Sequence, residues 1–477
     1  MCQDLPPSKV EHGPFKRCAI WWPIRPWSRS RDLSGWRGKL GSVTVPRLRG
    51  VTLLLITASF ANISHELDYV QLRKWLKKKG FNDFYLVPAN FPDIGRGLMT
   101  TKALQPGDLV IKLPEKCLLT TTTVLSSYLG EYIERWKPRL SPLQALCTFL
   151  ISERHFGSRS SWKPYIDVLP KTYTCPVYLA EEVISLFPCP LVKRIQQQKS
   201  EVQELYLTSQ CFFSSLQPLF SQPTESVFTY HAFRWAWCSI NTRTVYMEHE
   251  QSEFLSRQPD VYALAPYLDL LNHSPSAQVT AAFNRITRHY EIRTVTKCKR
   301  YEQVFICYGP HDNQRLLLEY GFLASSNPHN VVNVDKDLLC NHISQKDKLM
   351  DRKMLFLQDE GLLGNLTFGL DGPSWRLLTV LKVFCLRTEE YLQRKNILVG
   401  LSVSADNERS SLELAENLCS QLMNENLKAM QEISKLLNET GDVSEQLEVV
   451  ATVRREELKI LQASAEVLQN MRVATPR

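Results

Sequence analysis

The stretch YLDLLNHSP, residues 267–275, decides how this sequence is read. Its first five residues are apolar or aromatic except for Asp269, and they read as a buried strand or a short helix. The run then ends in Asn272 and His273, whose side chains demand hydrogen-bond partners. A buried amide or imidazole without a partner costs roughly 1–3 kcal/mol. One explanation is a polar turn that caps the run, with Asn272 and Ser274 folding back on the backbone. The other is that Asn-His closes a ligand pocket. The fragment alone leaves both open.

On either side the pattern alternates between strand and helix. HYEIRTVT (289–296) places Tyr290, Ile292 and Thr294 on one face of a strand. EQVFICYG (302–309) predicts a short strand ending at Gly309, and NQRLLLEYGF (313–322) a helix stopped by Gly321. Upstream, QPGD (105–108) is a turn signal between two β-like runs, which predicts a hairpin within 95–119. ELDYVQLRKWLKKKG (66–80) predicts a short amphipathic helix with Leu67, Val70 or Gln71, and Trp75 on one side and a stop at Gly80. SPLQALCTFLISERHFG (141–157) predicts a helix opened by Ser141-Pro142 and closed by Gly157. SWKPYIDVLP (161–170) reads as a proline-bounded loop with aromatic and apolar anchors, and 180–235 reads as helical.

Beyond about residue 345 three helices are expected, over 374–394, 412–437 and 445–471. Leu414, Leu418, Leu422, Met430, Ile433 and Leu437 lie near helical spacing, the pattern of a bundle core.

The chain has 477 residues, enough for two or three domains. Of the formal charge of +8, residues 1–50 contribute +7, with ten Lys or Arg against three acids. The remaining body is nearly neutral, so charge gives no reason to expect specific nucleic-acid binding. The run at 51–61 is too short to span a bilayer, and no membrane association is expected. Residues 1–60, with Trp21, Trp22, Trp27, Trp36 and several prolines, are expected to be disordered or weakly ordered and carry no assigned function. The 13 cysteines form no C-x-x-C pair, so no metal site is expected. Scattered free thiols suit the cytoplasm and nucleus.

Four pieces need one explanation: DIGRGL (93–98), NTRTVY (241–246), LDLLNHSP (268–275) and ICYGPHDNQRLLLEYGF (306–322). Singly each is weak; G-x-G is among the commonest patterns in sequences. In this order they resemble the SET-domain protein methyltransferases, and most closely the class that includes the plant Rubisco large-subunit methyltransferase. The resemblance covers roughly residues 66–470. It implies an α+β fold: a knotted, β-rich SET domain over 66–325 with a helical insertion at about 130–230, then an all-helical substrate-binding domain over 345–470. Many SET enzymes outside this class end in a zinc-binding cysteine cluster; this chain has none after Tyr320, and the helical domain would take its place.

The resemblance also implies roles. Asn272 and His273 would hold the adenine end of S-adenosyl-L-methionine, with Asp269 as a supporting neighbour. Gly95 and Arg96 would lie along the cofactor, and a side chain at 95 would block close backbone approach. Arg243 would pair with the methionine carboxylate, a task suited to a forked guanidinium. Tyr308 would be catalytic, where the methyl passes, and Tyr320 and Phe322 would close the pocket wall. Phe283, Tyr290 and Tyr320 would line the substrate side. The expected reaction is methylation of a protein lysine, on a histone tail or a non-histone protein, by a monomer. A silent scaffold of the same fold, or methylation of a histidine as in a sister branch of the class, are the competing readings.

Overall fold

The computed structural model describes residues 60–82, 85–92, 94–342, 347–439 and 444–474. The basic segment 1–60 therefore lies, apart from Phe60, outside the described residues. The fold is α+β. Small sheets and packed helices build the body, and a helical unit follows.

One three-stranded antiparallel sheet has His289–Thr294 in the middle, between Leu109–Pro114 and Val279–Asn284. Tyr290, Ile292 and Thr294 are its buried face, as the alternation implies. A second sheet joins Ala61–Asn62, Leu86–Phe91 and Gly95–Thr100. The expected 95–119 hairpin does not form. The QPGD turn is present, with the Asp108 amide donating to the Gln105 carbonyl at 3.0 Å, but its flanking strands enter different sheets. Residues 101–108 make too long a connection to fix the register of a tight hairpin, and each strand finds a better ladder elsewhere.

Two helices position the site. Pro142–Phe156 is started by a reciprocal cap: Ser141 Oγ accepts from the Gln144 amide and Gln144 Oε1 accepts from the Ser141 amide. It packs on Tyr230–Arg243, whose last residue is Arg243. The Leu67–Lys78 helix buries Tyr69, Leu72 and Leu76 rather than Leu67, which is 68% exposed in the first turn. Tyr69, Leu72 and Leu76 share one helical face, and that face meets the core.

The C-terminal unit is helical, with Trp375–Phe384, Ala405–Glu439 and Ser444–Ala474 as its main elements. Short strands Thr367–Gly369 and Gly372–Pro373 join Val332–Asn333 in a small sheet at its edge. The helix expected over 374–394 is broken after Phe384 and resumes only at Arg394–Leu398. The cause is Lys353, whose buried ammonium takes the carbonyls of Phe384 and Leu386 at 2.9 and 2.6 Å and pairs with Asp347 at 2.6 Å. Those carbonyls are withdrawn from the helix ladder.

The unit docks on the body through an apolar cluster in which Val183, Phe187, Leu191, Leu317 and Leu318 meet Ile433, Leu447 and Val450. Buried polar contacts join the same interface. Gln314 donates to Glu457 at 3.2 Å, and Arg454 donates to the Leu186 carbonyl at 3.0 Å.

Candidate active site

The site begins with strain. Tyr267 has φ 75°, a left-handed conformation that costs a non-glycine residue on the order of 1–3 kcal/mol. It is held because the ring is buried against Phe81, at 5.7 Å between centroids, and its hydroxyl donates to the Leu86 carbonyl at 2.5 Å. The chain then makes a single 3₁₀ turn, Leu268–Leu270, and emerges as the two-residue strand Asn272–His273.

That strand pairs in parallel with Phe305–Ile306, Asn272 opposite Phe305 and His273 opposite Ile306. On its other side the same C-terminal segment bonds the glycine-rich strand, the Val304 amide donating to the Leu98 carbonyl at 2.8 Å. Asn272 does not fold back on its own backbone: its Nδ2 donates to the Arg96 carbonyl at 2.9 Å. His273 Nδ1 accepts from the Tyr308 amide at 3.0 Å, which leaves the ring hydrogen on Nε2. Nε2 is buried and has no partner among the described residues. Burial, with His329 nearby, holds the His273 pKa down at about 4, so the ring is neutral at physiological pH. A polar turn therefore does not account for the end of 267–275, because Asn272 and His273 both bond distant segments.

Arg243 stands at the end of its helix and donates Nη1 to the Asp269 carbonyl at 2.9 Å. The Asp269 carboxylate accepts from the hydroxyl of buried Tyr165 at 2.9 Å. Burial pushes the Asp269 pKa up, while Arg243, Tyr165 and Arg96 pull the other way. Arg96 Nη1 donates to the Val168 carbonyl at 2.9 Å and to Tyr69 Oη at 3.3 Å.

An aromatic group closes the arrangement. The Tyr308 ring lies 4.9 Å from Tyr320, 5.2 Å from His273 and 6.3 Å from Phe322. Tyr308 Oη donates to the Leu271 carbonyl at 2.7 Å. Burial raises its pKa to about 12, so it is a neutral hydroxyl at working pH. Gly321, φ 77°, ends the helix between Tyr320 and Phe322 and lets both rings turn toward Tyr308.

The structure thus brings Arg96, Arg243, Asp269, Asn272, His273, Tyr308, Tyr320 and Phe322 into one connected set. Phe283 and Tyr290 share the apolar core against which Tyr308 packs but are not bonded into that set among the described residues. They are cross-strand partners on the Val279–Asn284 and His289–Thr294 strands, with Tyr290 buried in the main core and Arg288 over the Phe283 ring. Among the described residues no ring contact joins either to Tyr308, Tyr320 or Phe322.

A SET-domain family profile matches residues 95–309, and a Rubisco LSMT substrate-binding profile matches residues 344–461. SET domain-containing protein 4 of Mus musculus is 53% identical over 410 residues, spanning 86% of this chain and 93% of its own. The chain belongs to the SET-domain protein methyltransferases. The actin-histidine N-methyltransferase of Gallus gallus is 27% identical over 419 residues, covering 84% of this chain and 68% of its own. A ribosomal lysine N-methyltransferase of Schizosaccharomyces pombe is also 27% identical, over 354 residues, 72% of this chain and 84% of its own. The solved structure of Rubisco LSMT bound to AdoMet has TM-score 0.57 and 22% identity, over 86% of this chain and 93% of that one, and shares the fold.

Further residues stand with this set. At Gly97 a Cβ would stand 2.8 Å from Asn272 Nδ2 and 2.4 Å from Gln303 Nε2, so a side chain there would push both amide groups from their present places. Gly95, expected to be the crowded one, has no atom within 4 Å of its Cβ position and needs glycine for its φ of 82° instead. Gln303 Nε2 is buried and unpartnered beside Asn272. Tyr165 lies in a stretch that reads as loop. The donor set suits S-adenosylmethionine: an unpartnered Nε2–H on His273, a guanidinium at Arg243 and a glycine strand beside them. Among the described residues no group of His, Cys, Asp or Glu is placed to hold a metal.

Proposed function

We propose that this protein transfers a methyl group from S-adenosylmethionine to a lysine amine of a protein substrate, a histone tail or a non-histone protein, and that it does so in the cytoplasm and nucleus. The observation that carries the reading is the crossing of 267–275 with 305–309. It sets the free Nε2–H of His273 beside the Tyr308 ring and its neighbours. A scaffold of the same fold has no use for that donor, and a buried polar group without a partner is costly.

When bound, the cofactor supplies an activated methyl on a positively charged sulfur. Its carboxylate is assigned to Arg243 and its purine edge to His273 and Asn272. The protein's part is positioning and desolvation. A free lysine has a pKa near 10.4 and must lose a proton before it can attack. Tyr308, Tyr320 and Phe322 form a wall that removes water from an ammonium, which favours the neutral amine. Tyr308 has its hydroxyl fixed on the Leu271 carbonyl, so its orientation is set before substrate arrives. Phe283 and Tyr290 are assigned to the substrate side through resemblance alone.

The test is methyl transfer from labelled cofactor to candidate proteins, with mass-spectrometric mapping of the modified residue. Methyl-lysine supports the reading. Methyl-histidine replaces lysine with histidine as the acceptor, and no transfer to any candidate, together with no cofactor binding, returns the scaffold.

A further inference from the structure

The stretch 165–174 belongs to the helical insertion, yet it touches in turn the segments that build the site. Tyr165 donates to the Asp269 carboxylate. The Val168 carbonyl accepts from Arg96. The Pro170 carbonyl accepts from Trp235 Nε1 at 2.9 Å and Tyr173 donates to Ser239 at 2.8 Å, both on the helix that ends in Arg243. Thr174 donates to the Gly321 carbonyl at 2.5 Å, between Tyr320 and Phe322.

Tyr165 is the member whose hydroxyl is specific. Its ring is wholly buried, and phenylalanine would fill the same space. The hydroxyl alone reaches Asp269, whose own carbonyl already holds Arg243. The groups facing the Asp269 carboxylate are Arg243, Arg96 and Tyr165, with Tyr69 beyond Arg96. A buried carboxylate robbed of its donor turns to the nearest cation, because an unpaired buried charge is expensive. Here that cation is Arg243.

We propose that Tyr165 is a positioning residue of the cofactor pocket: its hydroxyl holds the Asp269 carboxylate off Arg243 and so keeps the guanidinium free for a ligand carboxylate. The inference rests on the methyl-transfer reading above. It deepens that reading by giving the insertion a task in cofactor binding.

The experiment is calorimetric titration with S-adenosylmethionine of the parent, Tyr165→Phe, Asp269→Asn and the double variant, together with steady-state kinetics. Loss of one hydrogen bond to a charged group weakens binding about tenfold in Tyr165→Phe. The cofactor KM rises in step, and kcat at saturating cofactor stays within about twofold. In the Asp269→Asn background the amide carries no charge to compete for Arg243, so adding Tyr165→Phe costs little further. Equal affinity of parent and Tyr165→Phe overturns the proposal. So does the same loss in both backgrounds, or a fall in kcat with the cofactor KM unchanged. A melting temperature taken on each unliganded protein separates misfolding from these outcomes; a Tyr165→Phe chain that does not fold makes the residue structural and overturns the proposal. A parent that binds no cofactor sinks the methyl-transfer reading itself.

Discussion

In the C-terminal unit Leu412, Ala415, Leu418 and Leu422 follow one another at helical spacing and are buried together. One short window of sequence therefore says what each of them touches. Around Tyr308 the reverse holds. Asn272 bonds the backbone at Arg96, 176 positions away, and Tyr165 bonds Asp269 across 104. The helices rest on apolar area that any well-filling residue can supply. The site rests on single donors and acceptors with no substitute nearby. A change in the first region should be read in stability, and a change in the second in binding or rate.

Tyr308→Phe is the largest expected break on the site side. It keeps the ring and removes the hydroxyl that fixes it on Leu271, and turnover should fall by roughly 10²–10⁴-fold. Single-turnover kinetics check it, and unchanged turnover moves the role to another tyrosine. Leu418→Ala is the matching break in the helices. A fully buried leucine truncated to alanine costs about 2–5 kcal/mol. Urea unfolding should show that loss, while the affinity of the folded protein for cofactor stays at the parent's value.

Glu457 sits where the two regions meet. Burial pushes its pKa up to about 7, against the pull of Arg454 and the hydrogen bond from Gln314. The folded chain thus holds this proton more tightly than the unfolded chain. Its contribution is complete at acid pH and is lost as pH rises through about 7. The melting temperature should decline between about pH 5 and pH 8, by the equivalent of about 2 kcal/mol, and Glu457→Gln should flatten that decline. A parallel slope in the variant assigns the pH dependence to other groups.

Phe283→Tyr has the smallest expected effect. If Phe283 reaches the substrate channel, an added hydroxyl takes the space of a second methyl and shifts the product toward monomethyl-lysine. Identical product ratios by mass spectrometry leave Phe283 as a half-buried strand residue opposite Tyr290.

The comparison also explains what the sequence made legible. The helices Pro142–Phe156, Asn313–Tyr320, Ala405–Glu439 and Ser444–Ala474 were readable because caps and apolar spacing are local. The break after Phe384 was not, because Lys353 acts on it from another helix. The same applies to the 95–119 hairpin, whose turn is local while its strand partners are distant. For the candidate site, Arg243, Asp269, Asn272, His273 and Tyr308 were singled out through family resemblance. Gly97, Gln303 and Tyr165 were missed, since their importance lies in what stands opposite them. SWKPYIDVLP did carry one signal, a tyrosine between prolines in an apolar setting, whose hydroxyl had to be satisfied somewhere.

The central claim is that the crossing of 267–275 with 305–309, with Arg243 beside it, forms the S-adenosylmethionine pocket. Calorimetric titration of that cofactor into the parent, Arg243→Ala and Asn272→Ala tests it most directly, with circular dichroism to verify that each chain is folded. The account predicts saturable binding by the parent and loss of measurable affinity in both folded variants. Binding by both variants at the parent's affinity would contradict it.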